Sequence, residues 1–274
     1  MLHQSAPLSD PKPRPPRPHV PGLWSGNLCL ALCFGVSLGA CLAGWAVPAL
    51  AALPDLAPLD RLLHRHVRAG EIHGVALNRV DYAAWGADSD HAAALAALEN
   101  FDAGKLASHQ EQLAFWINAY NLLAIQVVIE HRTQGSIRDA GGLFTPVWKI
   151  PAGRVGGREV TLDQIEHRIL RPMGDPRIHM AIVCASVSCP DLRPEIYVPE
   201  QLEQQLDDQA QTFLANPKKG VVGDGNVRLS RIFDWFEDDF GGRAGVLAFV
   251  ARYRGGNVRR VDGYFDYDWA LNRQ

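Results

Sequence analysis

The sequence predicts an α+β fold: a single domain in which a central buried helix packs with a small mixed or antiparallel sheet and surrounding helices. Three observations carry that expectation. Residues 113–131 run almost entirely apolar behind a helix-capping signal, too apolar all round for a surface helix. Short stretches with strand character are bounded by glycine turns, and they are too few and too irregularly spaced for repeated βαβ units. The chain has 274 residues, 47% of them hydrophobic, and shows no internal repeat or low-complexity linker after Pro54, so one domain over 52–274 can bury a sizeable core.

Taken in order, Leu59, Leu62, Leu63, His66 and Val67 recur at helical spacing and predict an opening helix that stops near Gly70. A short strand is expected over 75–82. Residues 91–99, rich in alanine and leucine, form a second helix. Ser108 followed three residues later by Glu111 has the form of a capping box, and the long apolar helix it opens ends near Gly135. Residues 147–151 and 158–160 flank a glycine turn and predict a hairpin. Thr161 and Gln164 repeat the capping pattern, opening a helix that Pro172 terminates. Residues 178–184 alternate and read as a strand that delivers Cys184 to its end. A helix over 199–214, a hairpin over 221–229 and a helix over 243–253 complete the body.

Residues 1–51 do not fit this core. The first 27 form a proline-rich basic leader, expected to be disordered, and residues 28–51 carry no charge. That order is the signature of an export signal or membrane anchor. Three fates are compatible with it: cleavage after the Ala49-Leu50-Ala51 pattern, retention as a signal anchor, or lipidation at Cys41. Each places the body in the periplasm or another extracytoplasmic compartment, touching membrane only through its N-terminal segment. Three bases against one acid give the leader a charge of +2, so the body carries −5 where the whole chain carries −3. A mildly acidic body argues against nucleic acid as the partner and leaves a small molecule, peptide or envelope ligand.

Two constellations stand out in the body. On the long helix, Glu111, Asn118 and Asn121 share one polar stripe. An unpaired buried polar group costs roughly 1–3 kcal/mol, so these side chains must meet partners: either an internal network that fixes neighbouring loops, or a ligand in a cleft. Cys184 and Cys189 are the only cysteines outside the N-terminal segment. In an oxidising compartment they fit a disulfide; they also fit two inert buried thiols, or a reactive Cys184 thiolate served by His167 or His179. Strand alternation sets His179 on the opposite face from Cys184 and roughly 17 Å away. Metal ligation is disfavoured by the C-x4-C spacing, and no cofactor is expected. The Asp266-Tyr267-Asp268-Trp269 segment reads as a tail docked by its aromatics, and the aromatic and acidic mixture over 230–240 reads as packing.

At these motifs the chain resembles the domain of unknown function 547 (DUF547) family. The matching stretches are AFWINAYN at 114–121, WKIP at 148–151, LDQIEHRILRP at 162–172, IHMAIVCASVSCP at 178–190, residues 207–210 and DYDW at 266–269. The resemblance directs attention to Asn118, Tyr120, Asn121, Glu166, His167, His179, Cys184, Ser186, Cys189 and Pro190. At Ser188 the family pattern carries glycine. The family has no established reaction, so the resemblance implies none. Its layout of a buried helix followed by strands, a histidine and a late aspartate is loosely similar to papain- and transglutaminase-type thiol enzymes, although here the helix offers Asn118 or Asn121 where those enzymes place cysteine.

Two functions therefore compete. In the first, an enzyme-like cleft performs thiol-dependent acyl transfer or hydrolysis, with Cys184 as nucleophile, His167 or His179 as base and Asn118 as an orienting or oxyanion donor. In it, Glu111, Tyr120, Asn121, Glu166, Ser186 and Cys189 shape the site. In the second, a non-catalytic module binds a ligand or partner and a Cys184 to Cys189 disulfide is structural.

Overall fold

The computed structural model describes residues 54–142 and 145–274; the expectations for residues 1–51 lie outside them. Within this region the fold is α+β. The chain opens with α1 (Ala57–His66), which carries Pro58 in its first turn and buries Leu59, Leu62 and Leu63. It passes directly into a hairpin of β1 (Val67–Ile72) and β2 (Val75–Val80), joined by His73 and Gly74 at φ 51° and 76°, the two left-handed residues that a tight hairpin turn requires. Sequence reading missed β1 because the residues between Val67 and Ile72 are polar or small and mostly solvent-facing, so no alternation marks it. Next come α2 (Tyr82–Ala87) and α3 (Ser89–Glu99), capped by the side chains of Asp81 and Asp88.

The centre is α4 (His109–Glu130). Both halves of its expected capping box form: Ser108 accepts from the Glu111 N–H, and Glu111 accepts from the Ser108 N–H. Long and apolar enough to cross a membrane, the helix is instead largely covered by the protein itself, with Ile117, Leu122, Leu123 and Val127 fully buried. It ends at His131, four residues before the glycine expected to stop it.

The second hairpin pairs β3 (Pro151–Val155) with β4 (Arg158–Thr161) across Gly156 and Gly157, both at positive φ. Residues 147–149 form a short 3-10 turn, not the start of the strand. From its Thr161 cap, α5 (Leu162–Gln164) widens into a π-helical segment over Ile165–Leu170, then tightens into a 3-10 turn at Arg171–Met173. Such widened turns recur at functional sites, and this one carries Glu166 and His167.

The strand expected over 178–184 is absent. Residues Ile178–Ala181 form one helical turn, α6, and the chain is extended only after it. All four residues of that turn, His179 included, are buried, so their alternation carried no information about facing. There follow α7 (Leu202–Ala215), the hairpin β5 (Val221–Asp224) and β6 (Asn226–Leu229), the short α8 (Ile232–Trp235), and α9 (Gly242–Arg254). A last strand, β7 (Arg260–Tyr264), adds in parallel to β6, giving a mixed three-stranded sheet beside the two antiparallel hairpins. The strand content is thus distributed over separate small sheets.

Two apolar clusters make up the core. One surrounds α4 and includes Ile178, Ala181, Ile182 and Cys189; the other gathers Met180 with residues of α7, β6, α8 and α9. Residues 178–190 therefore run along the seam between the clusters.

Candidate functional site

The segment around Cys184 is held from several directions. From α4, the Asn121 amide donates to the Ala181 carbonyl at 3.0 Å while its oxygen accepts the Val183 N–H at 2.8 Å. From the C-terminal tail, Ala270 accepts the Val187 N–H and Asn272 donates to the Ala185 carbonyl. From the loop before β5, the buried Lys219 ammonium donates to the Cys189 carbonyl at 3.0 Å and pairs with Asp191 at 2.8 Å. Ala185, immediately after the thiol, sits at φ 59°, a left-handed conformation that a side-chain-bearing residue adopts only under local constraint. Cys184 is thereby presented on a tight, fixed turn.

Cys184 and Cys189 are free thiols with their sulfurs 3.0 Å apart. Ser186 Oγ lies 3.1 Å from Cys184 Sγ and the Tyr267 hydroxyl 3.3 Å away. The Cys189 thiol, the Ser186 hydroxyl, the Tyr267 hydroxyl and the Ser186 backbone N–H all favour the thiolate, and against the penalty of burial they bring Cys184 down to about 7. Cys189 moves the opposite way, pushed well up by burial and by its neighbour's charge. The pair thus divides into one thiol that ionises near neutral pH and one that is held protonated, the sulfur of the second also accepting the Cys184 N–H at 2.9 Å.

Cys184 opens onto a cleft of about 160 Å³. Glu166 and Tyr120 lie on one side, the Tyr120 hydroxyl donating to Glu166 at 3.3 Å. Burial, followed by the nearby Cys184 charge, raises Glu166 to about 7. His179 also lines the cleft. Its Nε2 donates to Asp239 at 2.7 Å, its ring stacks on Phe236 with centroids 4.0 Å apart, and burial lowers it to about 4, so it is neutral near pH 7 with Nδ1 as a lone-pair acceptor. Asp239 in turn receives two hydrogen bonds from Arg171, at 2.6 and 2.8 Å, and these with His179 hold it ionised against its own burial. The same guanidinium donates to His167 Nδ1 at 2.9 Å. The remaining wall is aromatic, formed by Trp148, Trp235, Phe236, Tyr267 and Trp269.

Of the residues singled out from sequence, Tyr120, Glu166, His167, His179, Cys184 and Cys189 line this one cleft, and Ser186 touches Cys184 from behind. The expected separation of His179 from Cys184 is corrected, because a helical turn and not a strand joins them. Asn118 goes elsewhere: its amide donates to the Tyr197 carbonyl at 2.7 Å and accepts the Tyr197 N–H at 2.9 Å, so both functions are taken up and it faces no part of the cleft. Glu111 is spent on the helix cap. The polar stripe of α4 is therefore a set of backbone clamps, and only Asn121 acts on the thiol loop. Ser188 uses its hydroxyl to accept the Asp268 N–H at 2.8 Å and so docks the tail.

Sequence reading missed Asp239, Arg171 and Lys219 as contributors, and took Trp235, Tyr267 and Trp269 for packing alone. The signal that was available was chemical: a buried histidine requires a partner, and the acids at 237–239 lie among aromatics that have to pack somewhere.

Fold and site together define an α+β protein with a thiol-bearing, aromatic-walled cleft at the seam of its core. Residues 105–214 match the family model described as "Protein of unknown function, DUF547", so that segment of the chain is similar to this family. The matched segment contains Tyr120, Asn121, Glu166, His167, His179, Cys184 and Cys189, whereas Asp239 and the aromatics from Trp235 to Trp269 come from beyond it. No curated protein and no solved structure matches the chain.

Proposed function

We propose that the cleft performs thiol-dependent acyl transfer or hydrolysis, with Cys184 as nucleophile and Glu166 as its proton partner. The observation that carries this reading is the ring of donors around Cys184 Sγ, which favours a thiolate near neutral pH in a cleft that also holds a carboxyl group of similar pKa. A general acid or base works best with a pKa near the working pH, which favours Glu166 at about 7 over His179 at about 4. Mutual repulsion disfavours having both Cys184 and Glu166 charged, so a thiolate beside a protonated Glu166 is a natural resting state.

In the first step Cys184 Sγ attacks the substrate carbonyl carbon and a C–S bond forms. The bond to the leaving oxygen, sulfur or nitrogen breaks, its electron pair stays with the leaving group, and Glu166 supplies the proton. Water, or an acceptor nucleophile in the transfer reaction, then attacks the thioester. Its proton passes to Glu166, the C–S bond breaks, and the thiolate returns. His179, fixed by Asp239 and Arg171, offers Nδ1 to orient the incoming nucleophile. The export signal or anchor expected at residues 28–51 makes this an extracytoplasmic activity. Brief exposure to an activated ester such as p-nitrophenyl acetate, followed by acid quench and peptide mass spectrometry, tests it. An acyl adduct on the Cys184 peptide that is lost in C184S is the expected result; acylation spread over surface lysines, with Cys184 unmodified, contradicts it.

A second reading is favoured by the 3.0 Å approach of the two sulfurs: a non-catalytic envelope module in which Cys184 and Cys189 are joined as a disulfide after export and the cleft only binds. It differs in predicting that the mature protein carries no alkylatable thiol before reduction.

A further inference from the structure

Among the described residues no lysine or arginine lines the cleft. Of the guanidiniums close behind it, Arg171 is engaged by both oxygens of Asp239 and by His167, and Arg138 is held over the Trp269 ring, 5.1 Å from its centroid. An anionic acyl group would therefore enter without a counter-ion, beside a thiolate and a carboxyl group. A cation fares no better. Even with Asp239 2.7 Å from its Nε2, His179 stays neutral because burial outweighs the pairing. Glu166 is pushed toward its neutral form in the same cleft, by burial first and by the Cys184 charge second, so burial works against any charged group there that lacks the hydrogen-bond partners Cys184 has.

The walls agree. Trp148, Trp269 and Phe236 face the cleft together with Ile182 and Ile232, and Trp235, 47% exposed, stands at the mouth. Trp235 stacks on Trp269 at 5.8 Å between centroids, and Trp269 meets Trp148 at 6.2 Å, so the indoles brace one another as a continuous surface. The cleft volume of about 160 Å³ can be set against the roughly 150 Å³ of an apolar protein cavity known to take up benzene. A group the size of one aromatic ring fills it, and anything larger extends through its open side into solvent.

We propose that the cleft selects an uncharged acyl group of benzoyl size, presented as an ester, thioester or amide whose leaving group extends past Trp235 into solvent. This rests on Cys184 being the nucleophile, since that is what makes the bound group an acyl group.

Benzamide, benzoate and benzamidine have nearly the same shape and are neutral, anionic and cationic at pH 7. Their equilibrium binding to the reduced protein, read by tryptophan fluorescence and by ligand-observed NMR, tests the selection without requiring any reaction. The expected result is that benzamide binds at least about ten-fold tighter than either charged analogue, in wild type and in C184A alike, a ratio that a single pKa unit of charge penalty would produce. Equal or tighter binding of benzoate or benzamidine, or no binding of benzamide at millimolar concentration, overturns it. In parallel, Cys184 alkylation by N-benzyl iodoacetamide is compared with iodoacetate, each normalised to glutathione. A benzamide preference with an inert Cys184 would defeat the acyl-transfer reading and leave the pocket selectivity standing. A reactive Cys184 with no preference for the neutral aromatic reagent would do the reverse.

Discussion

At the scale of single residues, the site depends on opposite displacements of neighbouring groups. Glu166 rises to about 7 and His179 falls to about 4, each chiefly because burial disfavours its charged form. Their consequences for stability have opposite signs. Between pH 4.5 and 7 the folded protein retains a proton on Glu166 that the unfolded chain releases, so this group's contribution falls as pH rises. Between pH 6.5 and 4 the unfolded chain protonates His179 and the folded protein does not, so that contribution falls as pH drops. Glu166→Gln removes the first and keeps the second. Relative to wild type, E166Q should gain up to about 1.4 kcal/mol of stability for each pH unit between about 4.5 and 7, measured by urea unfolding at several pH values. A difference independent of pH would show that Glu166 titrates as an ordinary carboxylate. Little of this was legible beforehand. The sequence identified Glu166, His167 and His179 as residues of interest, but which histidine is anchored, and by which acid, depends on Asp239, 60 residues away in the chain.

At the scale of elements, α4 shows what local sequence determines well. Its cap and its burial follow from the Ser108 to Glu111 pattern and the apolar run behind it, and the asparagine stripe was correctly seen to need partners, although the helix stops short of the expected Gly135. The identity of those partners was invisible, because Asn118 meets Tyr197 and Asn121 meets residues 181–183, contacts that the tertiary fold sets. The two amides allow an internal comparison. Each clamps one carbonyl and one N–H in the buried interior, and removing either should cost about 1–3 kcal/mol for the backbone groups left unpaired. Only N121A frees the segment that delivers Cys184. N121A and N118A should therefore lose similar stability in chemical denaturation, while alkylation of Cys184 slows several-fold in N121A and stays near wild type in N118A. Equal effects on the thiol would mean that Asn121 acts through stability alone. The misread strand over 178–184 has the complementary lesson: alternation distinguishes faces only where one face meets water, and residues Ile178–Ala181 are all buried.

At the scale of the whole molecule, the cleft lies where two apolar clusters meet, and the chain between His179 and Cys189 contributes to both. Its walls come from distant parts of the sequence: α4, the widened helix after α5, the thiol loop, α8 and the C-terminal tail. The α+β class was readable from composition and turn signals. The seam was not, because it depends on how β7 and the tail return to the thiol loop, and nothing local in those segments announces where they dock. The central claim is that this assembly turns a buried cysteine into a nucleophile near neutral pH. It is tested most directly by the rate of Cys184 alkylation by iodoacetamide as a function of pH, on protein isolated both with and without prior reduction, with the modified residue identified by mass spectrometry. The account predicts labelling without prior reduction, confined to Cys184 over Cys189, with a rate that rises through a midpoint near 7. A midpoint near 9, as for an ordinary thiol, or labelling that appears only after a Cys184 to Cys189 bridge is reduced, would contradict it.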